Sequence, residues 1–234
     1  NCTMLQKLLL AMAIGLITLA GCSQNPTASK SVAPEREDPA FLEAKNARAD
    51  ELYVNPDSAK GGSAFRKIYI APANLSKLQI IQPEGAEPDT EWEIDDVEAS
   101  VVQKALHNEL ATTLSFESAY NIVETREESD MVIKTTLVAI HPNSTRAEIE
   151  AGAKAGGALT VSMALINTKT DNVMIRTVDT KSTDNIWAFN QVENDDPAIN
   201  LIFRSWGNSM RRGLLNLQGL AFDPLANPLQ LKER

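Results

Sequence analysis

The chain has 234 residues, of which 43% are hydrophobic and only 5% aromatic, so it can bury a sizeable and mainly aliphatic core. Its 22 basic and 31 acidic residues give a formal net charge of −9, which speaks against nucleic acid as a partner and against a broad electrostatic grip on anionic lipid. Both cysteines, Cys2 and Cys22, lie near the N-terminus. The rest of the chain therefore holds no disulfide, zinc–thiolate site or thiol nucleophile.

The first elements along the chain are typical of a secretory signal. Lys7 precedes an almost unbroken apolar run over residues 8–20, and Gly21 and Cys22 follow it. A basic start, an apolar middle and small residues at the cleavage point have the order of a signal peptide. The run is short for a membrane-spanning helix, which needs about 20 apolar residues. We therefore predict a signal peptide over residues 1–21, with Met4 as its expected initiator.

At the boundary between the apolar run and the polar segment that follows, the chain has the residues Leu19, Ala20, Gly21 and Cys22. This stretch resembles the lipobox of bacterial lipoproteins. The resemblance implies cleavage before Cys22, with palmitate or another acyl chain on its sulfur and on the new amino terminus. Several acyl chains anchor a protein stably without a basic patch. Ser23 stands where an aspartate would favour retention in the inner membrane, so it points to the outer membrane and a periplasm-facing chain. The alternative is an ordinary signal peptide whose cysteine is incidental.

Residues 22–62 are expected to form the lipidated cysteine and a flexible tether. The polar stretch 23–38 contains two prolines and has almost nothing to bury, so it is typical of disorder. Residues 39–53 carry a partial apolar stripe and are interpreted as a possible short helix that begins at Pro39. Pro56 and two adjacent glycines then break the chain before a globular domain predicted over 63–219, and residues 220–234 are expected to form a loose tail.

Five strands are predicted in the globular domain from alternating or β-branched apolar side chains. Their ranges are 66–71, 120–123, 131–140, 157–167 and 172–182. The polar turn 168–171 joins the last two strands as a hairpin. The first strand and the strand at 120–123 flank a helix, so we expect them to be parallel neighbours.

Two long helices are predicted from apolar side chains at helical spacing. The first opens at Asp95 and Asp96 and runs to about Ser115; its expected buried stripe is Val97, Val101, Leu106, Leu110 and Leu114. The second opens at residues 195–197 and ends at Gly219; its expected stripe is Ile199, Ile202, Phe203, Trp206, Met210, Leu214 and Leu217. The whole order predicts an α/β (α+β) sandwich: a mixed, largely antiparallel sheet of about five strands with two long helices packed on one face.

No pattern in the chain predicts catalysis, a metal or a cofactor. His107 and His141 stand alone, without the further converging donors that a metal site or a catalytic triad needs. The chain also lacks the G-x-S-x-G and S-x-x-K motifs of serine hydrolases and penicillin-binding enzymes. We therefore expect a protein that is not an enzyme.

Four residues are candidates for contact with a ligand or partner: Trp92, Gly156, Gly157 and Trp187. The glycine-rich loop 152–157 would let backbone amides approach a ligand, but it lacks the G-K-[ST] end of a phosphate-binding loop and leads into a strand. These features favour a mobile connector between strands over an anion-binding loop. The two tryptophans lie in or beside loops, where they either contact a ligand or partner or belong to the edge of the core.

Most of the chain, from Leu52 to about Gly219, resembles the domain-of-unknown-function 3313 family of bacterial lipoproteins. The residues that carry the resemblance lie at 52–56, at 65–72, in the helix through Leu106 and Leu110, at the start of the strand at Gly156 and Gly157, in the hairpin at 168–173, and in the helix of Trp206. The family has no assigned enzymatic activity, so no catalytic residue is implied. The resemblance implies a periplasm-facing lipoprotein domain.

The sequence therefore predicts an outer-membrane-anchored lipoprotein. Its non-catalytic α/β domain would face the periplasm and bind an envelope protein or another envelope component. The alternative is a carrier or sensor of a small ligand, with a pocket near the 152–157 loop. An enzyme is the third alternative. Neither a nucleic acid nor a metal is expected as a partner.

Overall fold

The computed structural model describes residues 42–43, 49–55, 65–88, 91–186 and 198–218. Within these ranges the chain forms eight strands and three α-helices, with a short 3-10 turn after the first helix. The strands are β1 (Leu42–Glu43), β2 (Glu51–Val54), β3 (Lys67–Ile70), β4 (Gln79–Ile80), β5 (Asn121–Val123), β6 (Met131–Pro142), β7 (Gly157–Asn167) and β8 (Val173–Thr183). The helices are α1 (Asp96–Ser115), α2 (Arg146–Glu150) and α3 (Ala198–Leu217).

All eight strands belong to one mixed sheet with the order β1-β2-β8-β7-β6-β3-β5, and β4 pairs with the far end of β6. Four pairs of strands are antiparallel: β1 with β2, β2 with β8, β8 with β7, and β7 with β6. β3 is parallel to both of its neighbours, β5 and β6. The predicted α+β sandwich with a mixed, largely antiparallel sheet is therefore confirmed. So is the parallel pairing of the first predicted strand with the strand near residue 121, where Ile68 lies beside Ile122.

One face of the sheet forms the floor of the core. Every second side chain of β7 is fully or almost fully buried on this face, at Leu159, Val161, Met163 and Leu165. The alternation arises because successive side chains of a strand point to opposite faces. Both long helices pack on this apolar face, with Leu106 and Leu110 of α1 and Phe203 and Trp206 of α3 in the same buried cluster.

The two long helices lie side by side and run in the same direction. Arg204 of α3 makes a two-pronged ion pair with Glu109 of α1, at 3.0 and 3.1 Å. One turn further along both helices, Gly207 lies against Thr113. Asp95 caps the start of α1, because its side chain accepts a hydrogen bond from the backbone N–H of Glu98 and the Glu98 carboxylate accepts one from Asp95.

The apolar stripe of α1 differs from the prediction at its start. Leu106, Leu110 and Leu114 are buried as expected, but Val97 is 72% exposed and Val101 is 40% exposed. Val102 is buried instead. Each residue turns a helix by about 100°, so Val101 lies well off the row that Val102, Leu106 and Leu110 form at a spacing of four. In α3 the predicted stripe is confirmed from Ile199 to Leu214.

The interpretation of residues 39–53 as a helix is wrong where the structure describes them. Leu42–Glu43 and Glu51–Val54 are strands, and β2 pairs with the edge of β8. The sheet therefore begins before residue 63, and it has eight strands among the described residues, against about five predicted. The extra strands have two to four residues, which is too few to show a period, and hydrogen bonds to a partner strand override a weak helical stripe.

A side-chain contact also ties the segment before β2 to the domain. The backbone N–H of Thr180 donates to the Asp50 carboxylate at 2.9 Å. The backbone N–H of Asp50 in turn donates to the buried carboxylate of Asp179 at 3.3 Å. Asp179 of β8 also accepts a hydrogen bond from Trp206 Nε1 at 2.8 Å, so its carboxylate links the residue just before β2 to α3.

The sequence analysis did not predict α2, although its signal is present. Thr145 and Glu148 form a reciprocal capping box at the start of α2. The predicted signal peptide, Cys22, the residues 195–197, Gly219 and the tail lie outside the described residues, so what the sequence indicates for them stays a prediction.

The contact between α1 and α3 yields a test of the fold. A Cβ added at Gly207 would lie 2.9 Å from both Cβ and Oγ1 of Thr113, so Gly207→Ala must force the helices apart. We expect the free energy of unfolding to fall by roughly 1–3 kcal/mol, as for other overpacked contacts. The measurement is denaturant unfolding.

Gly213→Ala is the matched control, because a Cβ at Gly213 meets nothing within 4 Å. Alanine is the better helix former, so this variant should be as stable as the parent or more stable by up to about 1 kcal/mol. Equal stability of the two variants would contradict the close contact.

Candidate interaction surface

The face of the sheet opposite to α1 and α3 is the candidate interaction surface in the described part of the chain. We call it the helix-free face, because both long helices pack on the other side. Its side chains alternate with the buried ones along each strand. The side chains that matter below are half-buried or exposed: Tyr53, Tyr69, Lys134, Thr136, Thr160, Ser162, Ala164, Arg176 and Thr180.

Two cationic side chains of the helix-free face, Lys134 and Arg176, lie in one row across the sheet. Lys134, Ala164, Arg176 and Tyr53 are direct cross-strand neighbours in that order. Lys134 and Arg176 are thus two strand spacings apart, about 10 Å, with only the methyl group of Ala164 between them. Glu51 lies at the sheet edge and its carboxylate accepts a hydrogen bond from the Tyr53 hydroxyl at 3.4 Å. The row is a local cationic feature in an acidic chain.

Hydroxyl groups occupy the middle of the same face. Thr160 and Thr180 share a hydrogen bond of 3.0 Å across β7 and β8, and Thr136 lies opposite Ser162 on β6 and β7. Val132 and Ile166, which are cross-strand neighbours near one end of the face, are buried. The face therefore combines short polar side chains with one row of cations.

A carboxylate closes the end of the sheet beside this face. Asp130 accepts hydrogen bonds from the backbone N–H groups of Arg66 and Lys67, both at 2.9 Å. Partial burial raises the pKa of Asp130, but these two hydrogen bonds and the charges of Lys169 and Lys67 outweigh it. The pKa of Asp130 therefore lies below its ordinary value, and the carboxylate holds the start of β3 against β6.

Trp92 is held from several sides at the opposite end of the sheet. Its Nε1 donates to the carbonyl of Ser144 at 2.9 Å, and the Arg146 guanidinium lies 4.9 Å from its ring centroid. The side chain of Gln82 accepts from the backbone N–H of Trp92 and donates to its carbonyl, both at 2.8 Å. The indole is half-buried and packs on the core. These contacts are those of a residue at the edge of the core.

Gly156 and Gly157 lie at the same end of the sheet as Trp92. The carbonyl of Gly156 accepts from the backbone N–H of Asn143, next to Ser144. A Cβ at Gly157 would lie 2.6 Å from the carbonyl oxygen of His141 and 2.9 Å from Ile186 Cδ1. The glycines therefore permit close packing where β7 begins. Trp92, Gly156 and Gly157 thus lie at the same end of the sheet, and Trp187 lies outside the described residues.

The two histidines lie apart from one another. His107 is exposed on α1, and His141 is half-buried near the end of β6. Within the described ranges no group of three or more His, Cys, Asp or Glu side chains is placed to hold a metal ion.

The sequence analysis did not single out the cationic row of the helix-free face. A partial signal was present, because less buried residues, Lys134 among them, alternate with buried ones along much of β6. The alternation identifies the wetter face of that strand. It does not reveal that Lys134 and Arg176 flank the same alanine, because their separation depends on the pairing register of three strands.

Comparison with known proteins finds partial structural likenesses. No protein-family model matches the chain, and no curated protein matches it, so membership of the domain-of-unknown-function 3313 family stays a prediction. Solved structures that the chain resembles include a lipoprotein from Neisseria meningitidis, with 8% identity over 64% of this chain and 99% of that one and a TM-score of 0.34. A hypothetical protein from Chlamydia trachomatis has 8% identity over 66% and 97%, with a TM-score of 0.39.

A third likeness is to the PelC dodecamer from Paraburkholderia phytofirmans, with 11% identity over 67% of this chain and 90% of that one and a TM-score of 0.35. Because these TM-scores are below 0.5, no function is transferred from these proteins. In the part of the chain that the structure describes, no helix is both long and apolar enough to cross a membrane.

The contacts of Trp92 predict a structural role that can be measured. Trp92→Phe removes the hydrogen bond to Ser144 and keeps an aromatic ring beneath Arg146, so the free energy of unfolding should fall by about 1 kcal/mol. Arg146→Ala keeps that hydrogen bond and should lower it by roughly 0.5 kcal/mol. Chemical denaturation measures both variants, and an unchanged stability of Trp92→Phe would contradict the structural role.

The lowered pKa of Asp130 predicts a pH-dependent contribution to stability. Above the unfolded-state pKa, near 3.8, the ionised carboxylate stabilises the fold in full, and the contribution is lost as the pH falls through the lower folded-state pKa. Asp130→Asn should therefore be less stable than the parent at pH 7, and the difference should shrink below about pH 3.8. Urea unfolding at a series of pH values tests this, and a difference that stays constant down to pH 2 would contradict it.

Proposed function

We propose that this protein is an outer-membrane lipoprotein, anchored through acyl chains on Cys22, whose non-catalytic domain faces the periplasm. The domain binds an envelope protein or another envelope component through its helix-free face. The observation that carries this proposal is the face itself, where polar and cationic side chains on adjacent strands stay half-buried or exposed while α1 and α3 cover the other side.

The lipid anchor and the helix-free face have complementary roles in this proposal. A net charge of −9 gives no broad attraction to anionic lipid, so acyl chains hold the protein at the membrane. The chain from Cys22 to Leu42 spans at most about 70 Å when fully extended. A tether of that reach raises the local concentration of the domain around partners in the same envelope.

The contacts beside the 152–157 loop speak against a ligand pocket at that end of the sheet. They therefore favour partner binding on the helix-free face over the alternative of a small-ligand carrier. Gly157 lies so close to His141 and Ile186 that even a methyl group would not fit. Both polar groups of the Trp92 backbone and its indole N–H already have partners within the domain. The side chain of Lys134 on the helix-free face, by contrast, is exposed to solvent.

Site-specific photo-crosslinking in living cells tests the proposed surface. A photoreactive amino acid is placed at Ser162, in the middle of the helix-free face, of the full lipidated chain. We expect a discrete crosslinked product in the membrane fraction from this position. His107 is the matched control position, because it is exposed on α1 and away from the helix-free face.

Two outcomes would contradict the proposal. Equal labelling from Ser162 and His107, or none from Ser162, would exclude the helix-free face as the binding surface. A Cys22→Ser variant that stays in the membrane fraction would exclude the anchor, since we expect that variant to be released to the soluble fraction.

A further inference from the structure

We propose that the first two strands of the sheet act as a strap that detaches from β8 while the rest of the domain stays folded. The strap comprises β1, β2 and the residues Ala49 and Asp50 directly before β2. Detachment itself does not depend on the proposed function. Its effect on the reach of the tether does rest on the proposed function, because that function assigns the chain before the strap to the membrane.

The strap lies at the outer edge of the sheet and adds little to the core. All four residues of β2 are half-buried. Two side chains of the adjoining strand β8, Met174 and Ile175, belong to the hydrophobic core cluster or pack against it, whereas those of Leu52 and Val54 in β2 do not. A segment that buries little apolar surface opens at a lower free energy than the core strands. We therefore expect the strap to open more readily than β8 parts from β7.

Two polar contacts latch the start of the strap to β8. The Asp50 carboxylate accepts a hydrogen bond from the backbone N–H of Thr180 at 2.9 Å. The backbone N–H of Asp50 donates to the buried carboxylate of Asp179 at 3.3 Å. Asp179 has two further partners outside the strap, Trp206 Nε1 at 2.8 Å and Lys181 Nζ at 3.2 Å. The buried carboxylate therefore stays compensated when the strap leaves, which lowers the cost of opening.

The other end of the strap is the hinge. Asn55, directly after β2, is buried, and its backbone N–H donates to the carbonyl of Met174 at 2.9 Å. The strap therefore opens from its N-terminal side. Leu42 lies beside Val54 in the closed strap, so these two residues are about 5 Å apart. When extended, the chain between them spans at most about 40 Å, so release lengthens the tether by up to about 35 Å.

The hydrogen bonds of β8 make detachment measurable along a single strand. In an antiparallel sheet, the N–H and C=O groups of successive residues point alternately to the two neighbouring strands. Because the N–H of Thr180 donates to Asp50, the even-numbered residues of β8 direct these groups to the strap. The strap therefore protects the amides of Val178 and Thr180, and β7 protects those of Thr177 and Asp179.

Native-state hydrogen exchange, followed by NMR on the full chain, tests the inference. After correction for intrinsic rates, the amides of Val178 and Thr180 should exchange roughly tenfold faster than those of Thr177 and Asp179. β7 is the internal control, because it has a strand on each side and its successive amides should show no such alternation.

Removal of the latch should favour the open strap. Asp50→Ala should raise the exchange rate of the Val178 amide roughly tenfold and leave that of Asp179 unchanged, because it deletes an acceptor only on the strap side. Glu128→Ala is the matched control, since it removes the same charge from an exposed position before β6. It should change neither rate.

A disulfide clamp is the second, opposite test. Leu52 and Thr177 face each other across β2 and β8, at a position where their N–H and C=O groups point away from one another. Cα atoms at such a position are about 4.5 Å apart, within the range that a disulfide bridges. In the Leu52→Cys, Thr177→Cys variant, oxidation should slow the exchange of Val178 to the rate of Asp179, and reduction should restore the difference.

The outcomes separate this inference from the proposed function. Alternating exchange along β8 that the oxidised clamp removes supports the strap. Equal exchange of alternate amides overturns it, as does an alternation that persists in the oxidised clamp. Exchange that Asp50→Ala leaves unchanged overturns the latch. A Cys22→Ser variant that stays in the membrane fraction overturns the anchor, and with it the effect on the tether, but leaves the exchange result intact.

Discussion

The in-register pairing of β6, β7 and β8 is the constraint on which the rest of the structure depends. These strands have eleven or twelve residues each, and their pairing fixes which side chains share a face over the whole width of the core. A shift by one residue would move the apolar set of β7 to the wet side. Two bulges, between Leu137 and Ala139 and between Leu165 and Ile166, adjust the register without exchanging the main faces.

The two long helices pack on the face that this pairing makes apolar, and their packing stabilises the sheet. Their apolar rows meet the floor that β7 supplies, and Gly207 lets α3 approach Thr113 of α1 closely. The buried Asp179 is the one carboxylate in the described core, and it is satisfied by Trp206 Nε1, by the backbone of Asp50 and by Lys181 at 3.2 Å. A buried charge is tolerated only with such partners. Both long helices of the described part therefore pack on the same face of the sheet.

The proposed function depends on the fact that both long helices pack on the same face of the sheet. Because α1 and α3 cover one face of the sheet, the proposed function assigns a partner to the other face. Val97 and Val101 at the start of α1 are exposed as well, but α1 packs on the opposite side of the sheet from that face.

The sequence by itself determined the long elements, since α1, α3, β6, β7 and β8 each hold enough residues to show a period and a start signal such as Asp95. It also showed no motif typical of catalysis or metal binding, and it gave Cys22 as the expected site of a lipid anchor. Only the tertiary structure decided that residues 51–54 are a strand, that Val97 is exposed, and that Lys134 and Arg176 flank one alanine. A two- to four-residue strand has no period of its own and is fixed by the hydrogen bonds of its neighbour. The register that places two distant cations in one row is likewise a property of pairing between strands, and local sequence does not encode it.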